Sequence, residues 1–266
     1  MNSASLSPDI TKVRQRLSTT VIGRSWHVAA ELPSTNSVAK QMAAAGAEEG
    51  LVVLCERQAA GRGRGSHLWH SPPGGLWFSF LLRPQAVPRS VLRYTALTAA
   101  AVAIAVEEVT GTPIDIHWPN DLMVGERKIG GVLCEVASSG TSLTYVVIGV
   151  GLNVNNGPET FPPELRPRTT SLVELLGHGV EPEPLLVAIL ETAERLIFDP
   201  TEGGFLRYRA RLSTIGHRVS IEGQQQVVGL AIDIDESGQL LVTTATGAFT
   251  INHGHCRHLP ASGPSS

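Results

Sequence analysis

Near residue 216 the chain changes texture. From His217 onward, short β-prone runs alternate with turn chemistry such as Glu222-Gly223, Glu236-Ser237-Gly238 and Thr246-Gly247, and helical spacing is lost. About 45 residues of this kind suit a small β-barrel. Upstream, helix-like and strand-like segments mix. The organisation expected is α+β: a larger domain over residues 1–215, a small β domain over 216–260 and a frayed tail at 261–266.

Composition permits a sizeable core, because 42% of the 266 residues are hydrophobic and 17% are charged. With 21 basic and 24 acidic residues the net charge is −3, which leaves no basic footprint for the whole chain. The longest apolar run, residues 99–106, is far short of the roughly 20 residues a membrane helix needs. Cys55, Cys134 and Cys256 stand too far apart for a disulfide framework and fit a reducing compartment. The first 30 residues contain no apolar signal core. A cytoplasmic location without membrane contact is expected.

Periodicity places helices at residues 7–17, at 90–109 with Gly111 as its stop, at 185–198 and at 205–213, and a short helical piece at 171–176. Ser34-Thr35-Asn36 offers N-cap chemistry to a helix carrying Val38, Met42 and Ala45, closed by Gly46. Strands are expected at 27–31, 51–56 and 76–82, then at 122–124, 129–136 and 143–153. Short connections make these last three an antiparallel meander.

The densest unusual chemistry is Gln58-Ala59-Ala60-Gly61-Arg62-Gly63-Arg64-Gly65-Ser66. Glycines let backbone N–H groups approach an anion, and interleaved arginines supply forked, permanently charged donors. A Rossmann fingerprint fails here, since Ser66 replaces the third glycine and Pro72-Pro73-Gly74-Gly75 blocks a following helix. A P-loop fails for want of Gly-Lys-Ser/Thr. The loop reads as an anion trap or, more plainly, as a flexible linker.

A second constellation is His117-Trp118-Pro119-Asn120-Asp121 followed by Arg127-Lys128-Ile129-Gly130-Gly131. If Gly125-Glu126 forms a two-residue turn, Met123 pairs with Lys128, and Asp121 lies diagonally across on the same face, roughly 7–8 Å away. An exposed ion pair is the plain reading. The double glycine weakens a strand and marks a bulge or a ligand's approach to backbone. Gly149-Val150-Gly151-Leu152-Asn153-Val154-Asn155 is either a strand end with turn chemistry or a place where asparagines meet a ligand.

Together these motifs resemble the biotin protein ligases: the Ser34-Thr35-Asn36 helix start, the Gln58 to Arg64 loop, Trp118-Pro119-Asn120-Asp121, and Lys128 through Gly131. The likeness is close over residues 34–155 and looser over the β-rich tail. It implies a class II aminoacyl-tRNA synthetase-like catalytic fold, a mixed or antiparallel sheet with flanking helices, and an SH3-like C-terminal domain that packs over the active site. It also implies an acyl-adenylate mechanism, in which biotin and MgATP give biotinyl-5′-AMP, and biotin then passes to a lysine of a biotin carboxyl carrier domain.

The roles implied are residue-specific. Ser34, Thr35, Asn36 and Gln58 suit an uncharged ureido ring. Arg62, Gly63, Arg64 and Gly131 complete the biotin site, with both arginines holding carboxylate and phosphate together. Lys128 sits where charge grows at the α-phosphate, and Asp121 orients or deprotonates the amine. Trp69 stacks on adenine or serves as a buried hinge aromatic, and Asn120 and Asn153 stand near the nucleotide. No protein metal site is expected, Mg2+ arriving with ATP.

Two departures are visible. Gly65-Ser66 stands where relatives carry a basic residue and glycine, implying a loop that holds the adenylate less tightly. With 33 residues ahead of Ser34, no N-terminal helix-turn-helix domain and no DNA binding are expected. The rivals are a lipoate or octanoate ligase or transferase, a non-catalytic biotin- or nucleotide-binding module, and a metal protein built on His253, His255, Cys256 and His258. Those four are too closely spaced for one tetrahedral zinc site and read as surface groups on a terminal strand. Glu222, Asp233, Asp235 and Glu236 read as turn and surface charges.

Overall fold

A computed structural model describes residues 8–65, 67–84, 91–139, 142–223 and 226–260. Ser7 and Ser90 at expected helix starts, Ser66, and the tail at 261–266 lie outside the described residues. In chain order the elements are α1 (Ile10–Arg16), β1 (Ser25–Leu32), α2 (Thr35–Ala44), β2 (Leu51–Gln58), β3 (Leu76–Leu82) and α3 (Leu92–Thr110). Then follow β4 (Asp115–His117), β5 (Asp121–Val124), β6 (Arg127–Ser139), β7 (Ser142–Leu152), α4 (Leu172–Leu176), α5 (Pro182–Phe198) and α6 (Gly204–Ala210). β8 (Arg218–Glu222), β9 (Val227–Ile234), β10 (Leu240–Thr244), β11 (Gly247–Ile251) and β12 (His255–His258) complete the chain.

Strands β1 to β7 form one mixed sheet in the order β1-β2-β3-β7-β6-β5-β4. β1 and β2 run parallel across the α2 crossover, and β2 onward pairs antiparallel. The meander is therefore as expected, with β4 added at its edge. That three-residue strand, partly exposed, lacks the apolar run that marks its neighbours.

Side-chain alternation divides the core in two. Phe78, Phe80 and Leu82 of β3 and Val146, Ile148, Val150 and Leu152 of β7 pack with α3 and α5. Trp77 and Leu81, with Val53, Cys55 and Val147, pack instead with Ala39 and Ala43 of α2. α3 is buried along Tyr94 to Val106, which is why that stretch is apolar on every side. Gly111, at φ +71°, ends the helix in the left-handed conformation expected of a C-terminal glycine. Among the described residues no helix is long and apolar enough to cross a membrane.

The five C-terminal strands form a separate antiparallel sheet in the order β11-β10-β9-β8-β12. It is fastened to the larger unit at several points. Trp118 donates its indole N–H to the Gly238 carbonyl (3.0 Å), and Arg209 pairs with Asp233 (2.6 Å). Asp233 thus ties the small sheet to α6 as well as being a surface charge.

His253 and His255 are exposed, as expected, whereas two neighbours depart from a surface array. Cys256 is buried, and His258 is half-buried between His117 of β4 and His217, with ring centroids 4.0 and 4.7 Å apart and nearly parallel planes. Among the described residues no cluster of His, Cys, Asp and Glu is arranged to hold a metal ion. Burial, then the facing rings of His117 and His217, push His258 down to about 4 from the ordinary value near 6.5. His117 is lowered as well, chiefly by burial. Since the unfolded chain binds these protons more readily, the stabilisation from neutral rings is complete above about pH 6.5 and is lost as pH falls towards 4. Calorimetric melting from pH 7.5 to 5 should show the midpoint falling, with a shallower slope for His258→Phe. Equal slopes in both proteins would contradict this account.

Candidate active site

The site lies on the α2 face of the large sheet, and its floor is glycine. A Cβ at Gly149 would overlap Asn36 Oδ1, and one at Gly151 would overlap the Trp69 indole. Those absences let α2 and the strand leaving the Gly/Arg loop rest directly on β7. Trp69 meets Trp77 edge-on at 6.4 Å, and its indole N–H is buried without a protein partner. In this conformation Trp69 packs, partly buried, on the glycine floor.

Ser34 caps α2, its hydroxyl accepting from the Ser37 N–H at 3.4 Å. Thr35 and Asn36 follow in the first turn and are almost wholly buried. Gln58, at the end of β2, accepts at Oε1 from the Thr35 N–H (2.8 Å) and hydroxyl (3.3 Å), and donates to Ser71 Oγ (2.7 Å). Asn36 donates to the Leu133 carbonyl (3.2 Å) and Glu135 (2.9 Å). The Ser79 hydroxyl lies 2.6 Å from Asn36 Oδ1 and 2.7 Å from Thr35 Oγ1.

The Gly/Arg loop is a narrow hairpin rather than a loose linker. The Trp69 N–H donates to the Gly61 carbonyl, and the Gly63 N–H to that of His67. Gly61 permits this closeness, since a Cβ there would strike the Trp69 carbonyl. Gly65 occupies the tip at φ +60° with open space around it. A basic side chain in its place would be strained in this conformation, a local reason for the departure from the family pattern. The Arg62 guanidinium lies 3.3 Å from Glu135, which also binds Lys40 at 2.8 Å. Arg64 reaches Asn120 Oδ1 at 3.4 Å, and burial lowers its affinity for its proton while nearby Asp121 opposes that.

The hairpin places Met123 opposite Lys128, as expected, with Gly125 at φ +58° in the turn. A bulge after Leu122 then brings Asp121 opposite Gly131, and Lys128 Nζ reaches Asp121 Oδ1 at 2.6 Å. The same ammonium lies 5.1 Å from the Trp69 ring centroid, joining hairpin to loop. The two glycines differ in purpose. A Cβ at Gly130 would press on the Gly151 carbonyl, whereas one at Gly131 would make only ordinary contacts near Lys128 and Asp121. Gly130 serves strand packing, and Gly131 lines the site.

Asn153 is turned inward. It donates to the Thr170 carbonyl (3.0 Å) and accepts from Asn156 (3.1 Å), while the Thr170 N–H donates to the Lys128 carbonyl (3.0 Å). It thus braces the strand that carries Lys128. Asn155 likewise clasps Val180 through both ends of its amide.

Two site residues escape motif reading, Ser79 and Glu135. Ser79 is a lone polar residue in an apolar strand, and Glu135 interrupts the apolar middle of β6; that isolation is the signal that marks them. Burial alone would make Glu135 a weaker acid; hydrogen bonds from Lys40 and Asn36, with the charges of Lys40 and Arg62, more than reverse this and keep it ionised.

A glycine floor, a rim of amides and hydroxyls, and arginines beside a lysine–aspartate pair are thus brought together on one face of the sheet. The Biotin/lipoate A/B protein ligase family matches residues 28–153. The Biotin protein ligase C terminal domain matches residues 214–259. The chain is 33% identical to the Bifunctional ligase/repressor BirA of Bacillus subtilis, over 89% of this chain and 75% of that one. It is 34% identical to a biotin–[acetyl-CoA-carboxylase] ligase of Mycobacterium tuberculosis, over 89% and 91%. A biotin protein ligase of Aquifex aeolicus, solved with biotin and ATP, superposes with a TM-score of 0.77 at 27% identity, over 89% of this chain and all of that one. The chain belongs to the biotin protein ligase family.

The floor has a direct test. Gly149→Ala should destabilise by about 1–3 kcal/mol through overpacking against Asn36, and adding Asn36→Ala should return part of that loss. Urea unfolding of both single variants and the double variant measures the coupling. Strict additivity would show that Asn36 does not rest on Gly149.

Proposed function

We propose that the chain activates biotin with MgATP and transfers it to a lysine of a biotin carboxyl carrier domain. The observation that carries this reading is the meeting of Lys128 with the Gly/Arg hairpin through Trp69, with Asp121 of its own hairpin holding the same ammonium. Motifs far apart in sequence thereby address one space.

In the first half-reaction a carboxylate oxygen of biotin attacks the α-phosphorus of MgATP. The new O–P bond forms as the bond to the bridging oxygen breaks, and pyrophosphate leaves. Arg62 and Arg64 draw the two anions together, offsetting their repulsion. Lys128 faces the charge that grows on the α-phosphate oxygens. Trp69 leaves the glycine floor to stack on adenine, with Asn120 alongside.

In the second half-reaction the carrier lysine's uncharged amine attacks the acyl carbonyl, and AMP departs. Asp121 accepts the amine's proton once Lys128 turns to the phosphate. Ser34, Thr35, Asn36 and Gln58 form the ureido end, and Gly63 and Gly131 leave room for the acyl tail. The larger unit of residues 1–215 carries this chemistry, and the small sheet of 216–260 covers it and meets the carrier. Free cysteines at 55, 134 and 256 suit the cytoplasm.

ATP–pyrophosphate exchange by the purified chain, with biotin, lipoate, octanoate or no acid, tests the reading. Exchange should appear with biotin. Exchange confined to lipoate or octanoate would move the chain to that sister activity, and no exchange with any acid would make it a binding module. Lys128→Met should lower biotin-dependent exchange about 10²–10³-fold, and a rate within twofold of the unaltered protein would remove the lysine from the mechanism.

A further inference from the structure

The hydrogen bonds around Ser79 run in one direction only. At one end, Asn36 presents its NH₂ to two groups that can only accept, the Leu133 carbonyl and the Glu135 carboxylate. Glu135 stays ionised beside Lys40 and Arg62, so it has no proton to return. The Asn36 amide cannot flip without setting oxygen against oxygen at both contacts. Its Oδ1 is thereby committed to accept, and the nearest donor is the Ser79 hydroxyl at 2.6 Å.

At the other end, the Thr35 backbone N–H can only donate, and it does so to Gln58 Oε1 at 2.8 Å. That fixes the Gln58 amide, whose NH₂ goes to Ser71. With the Ser79 proton committed to Asn36, the 2.7 Å contact between Thr35 Oγ1 and Ser79 Oγ is filled by the Thr35 proton, and Gln58 Oε1, at 3.3 Å, is its longer second acceptor. That single proton is engaged within the protein. What Thr35 retains is lone-pair capacity.

We infer that Ser79 is a positioning residue that fixes the Thr35 hydroxyl as a hydrogen-bond acceptor, so that the ring end of the pocket selects a ligand bearing an N–H at that point and rejects one bearing an oxygen. The inference rests on the biotin reading above, because a cyclic urea supplies such an N–H. It extends that reading by naming Ser79, a fully buried group in the middle of an apolar strand, as the origin of the selectivity. A buried hydroxyl in such a strand is costly unless its bonds are used. Here they orient two neighbours at once.

The test uses the full chain and three ligands: biotin and the two cyclic carbamates in which one or other ureido N–H is replaced by oxygen. These are nearly equal in shape, so they separate polarity from fit. Calorimetric titration of the unaltered chain should show one carbamate weakened about a hundredfold against biotin, since oxygen would then face the Thr35 lone pairs. In Ser79→Ala the Thr35 proton loses its short acceptor and divides between Gln58 Oε1 and the ligand, so the same ratio should narrow to about tenfold, with the melting midpoint of the variant recorded alongside. An unchanged ratio, with all three ligands weakened together, would mean that Ser79 only shapes the wall and would overturn the inference. Equal binding of biotin and both carbamates by the unaltered chain would overturn it as well. Failure of the unaltered chain to bind biotin would instead refute the underlying biotin reading, and with it this extension.

Discussion

The close seating of side chains on the backbone of β7 is the constraint from which the site follows. Gly149 and Gly151 alternate with Val150 on the strand's other face, so one stretch of chain is a packed wall on one side and bare peptide on the other. Asn36 and Trp69 occupy the bare side. Were either glycine to carry a methyl group, α2 or the outgoing strand of the Gly/Arg hairpin would be lifted, and with it a group aimed into the pocket. Strand stability forgone at two glycines is what brings helix, hairpin and sheet within hydrogen-bonding distance.

Charge is organised around that floor in two separate triads of residues. On one side Glu135 gathers Lys40 and Arg62. On the other Asp121 holds Lys128, with Arg64 near enough to sense its charge. Neither group is a bare cluster of cations, and each carboxylate limits the repulsion its basic neighbours would otherwise feel. Asn120, bonded both to Arg64 and to the Val132 carbonyl, connects the second group to the sheet.

Much of this was legible in the order of residues. β3 was readable end to end because its apolar run is bounded by Gly75 and Arg83, and the α3 stop because Gly111 takes the left-handed conformation there. The pairing of Met123 with Lys128 followed from the turn, but the bulge after Leu122, which sets Asp121 opposite Gly131, did not. The same limit hid the histidine stack. His117 of β4, His258 of β12 and His217, just ahead of β8, are brought together from separate parts of the chain, which no local pattern announces. Ser79 and Glu135 were masked by their strands, where alternation announces a face but not what lies across from it. Asn153 was conspicuous for its neighbours and is engaged in bracing them.

The Lys128–Asp121 pair has one more consequence, for the energetics of the nucleotide's arrival. An ammonium already matched by a carboxylate presents a dipole to an approaching triphosphate, not a free positive charge. Engagement of the phosphate is then an exchange of one anion for another at the same nitrogen, and the net electrostatic gain is the difference between the two partners. On the proposed mechanism the carboxylate released by that exchange would become available as a base only once the nucleotide has been engaged, so a single ion pair in the resting protein would give the two half-reactions an order.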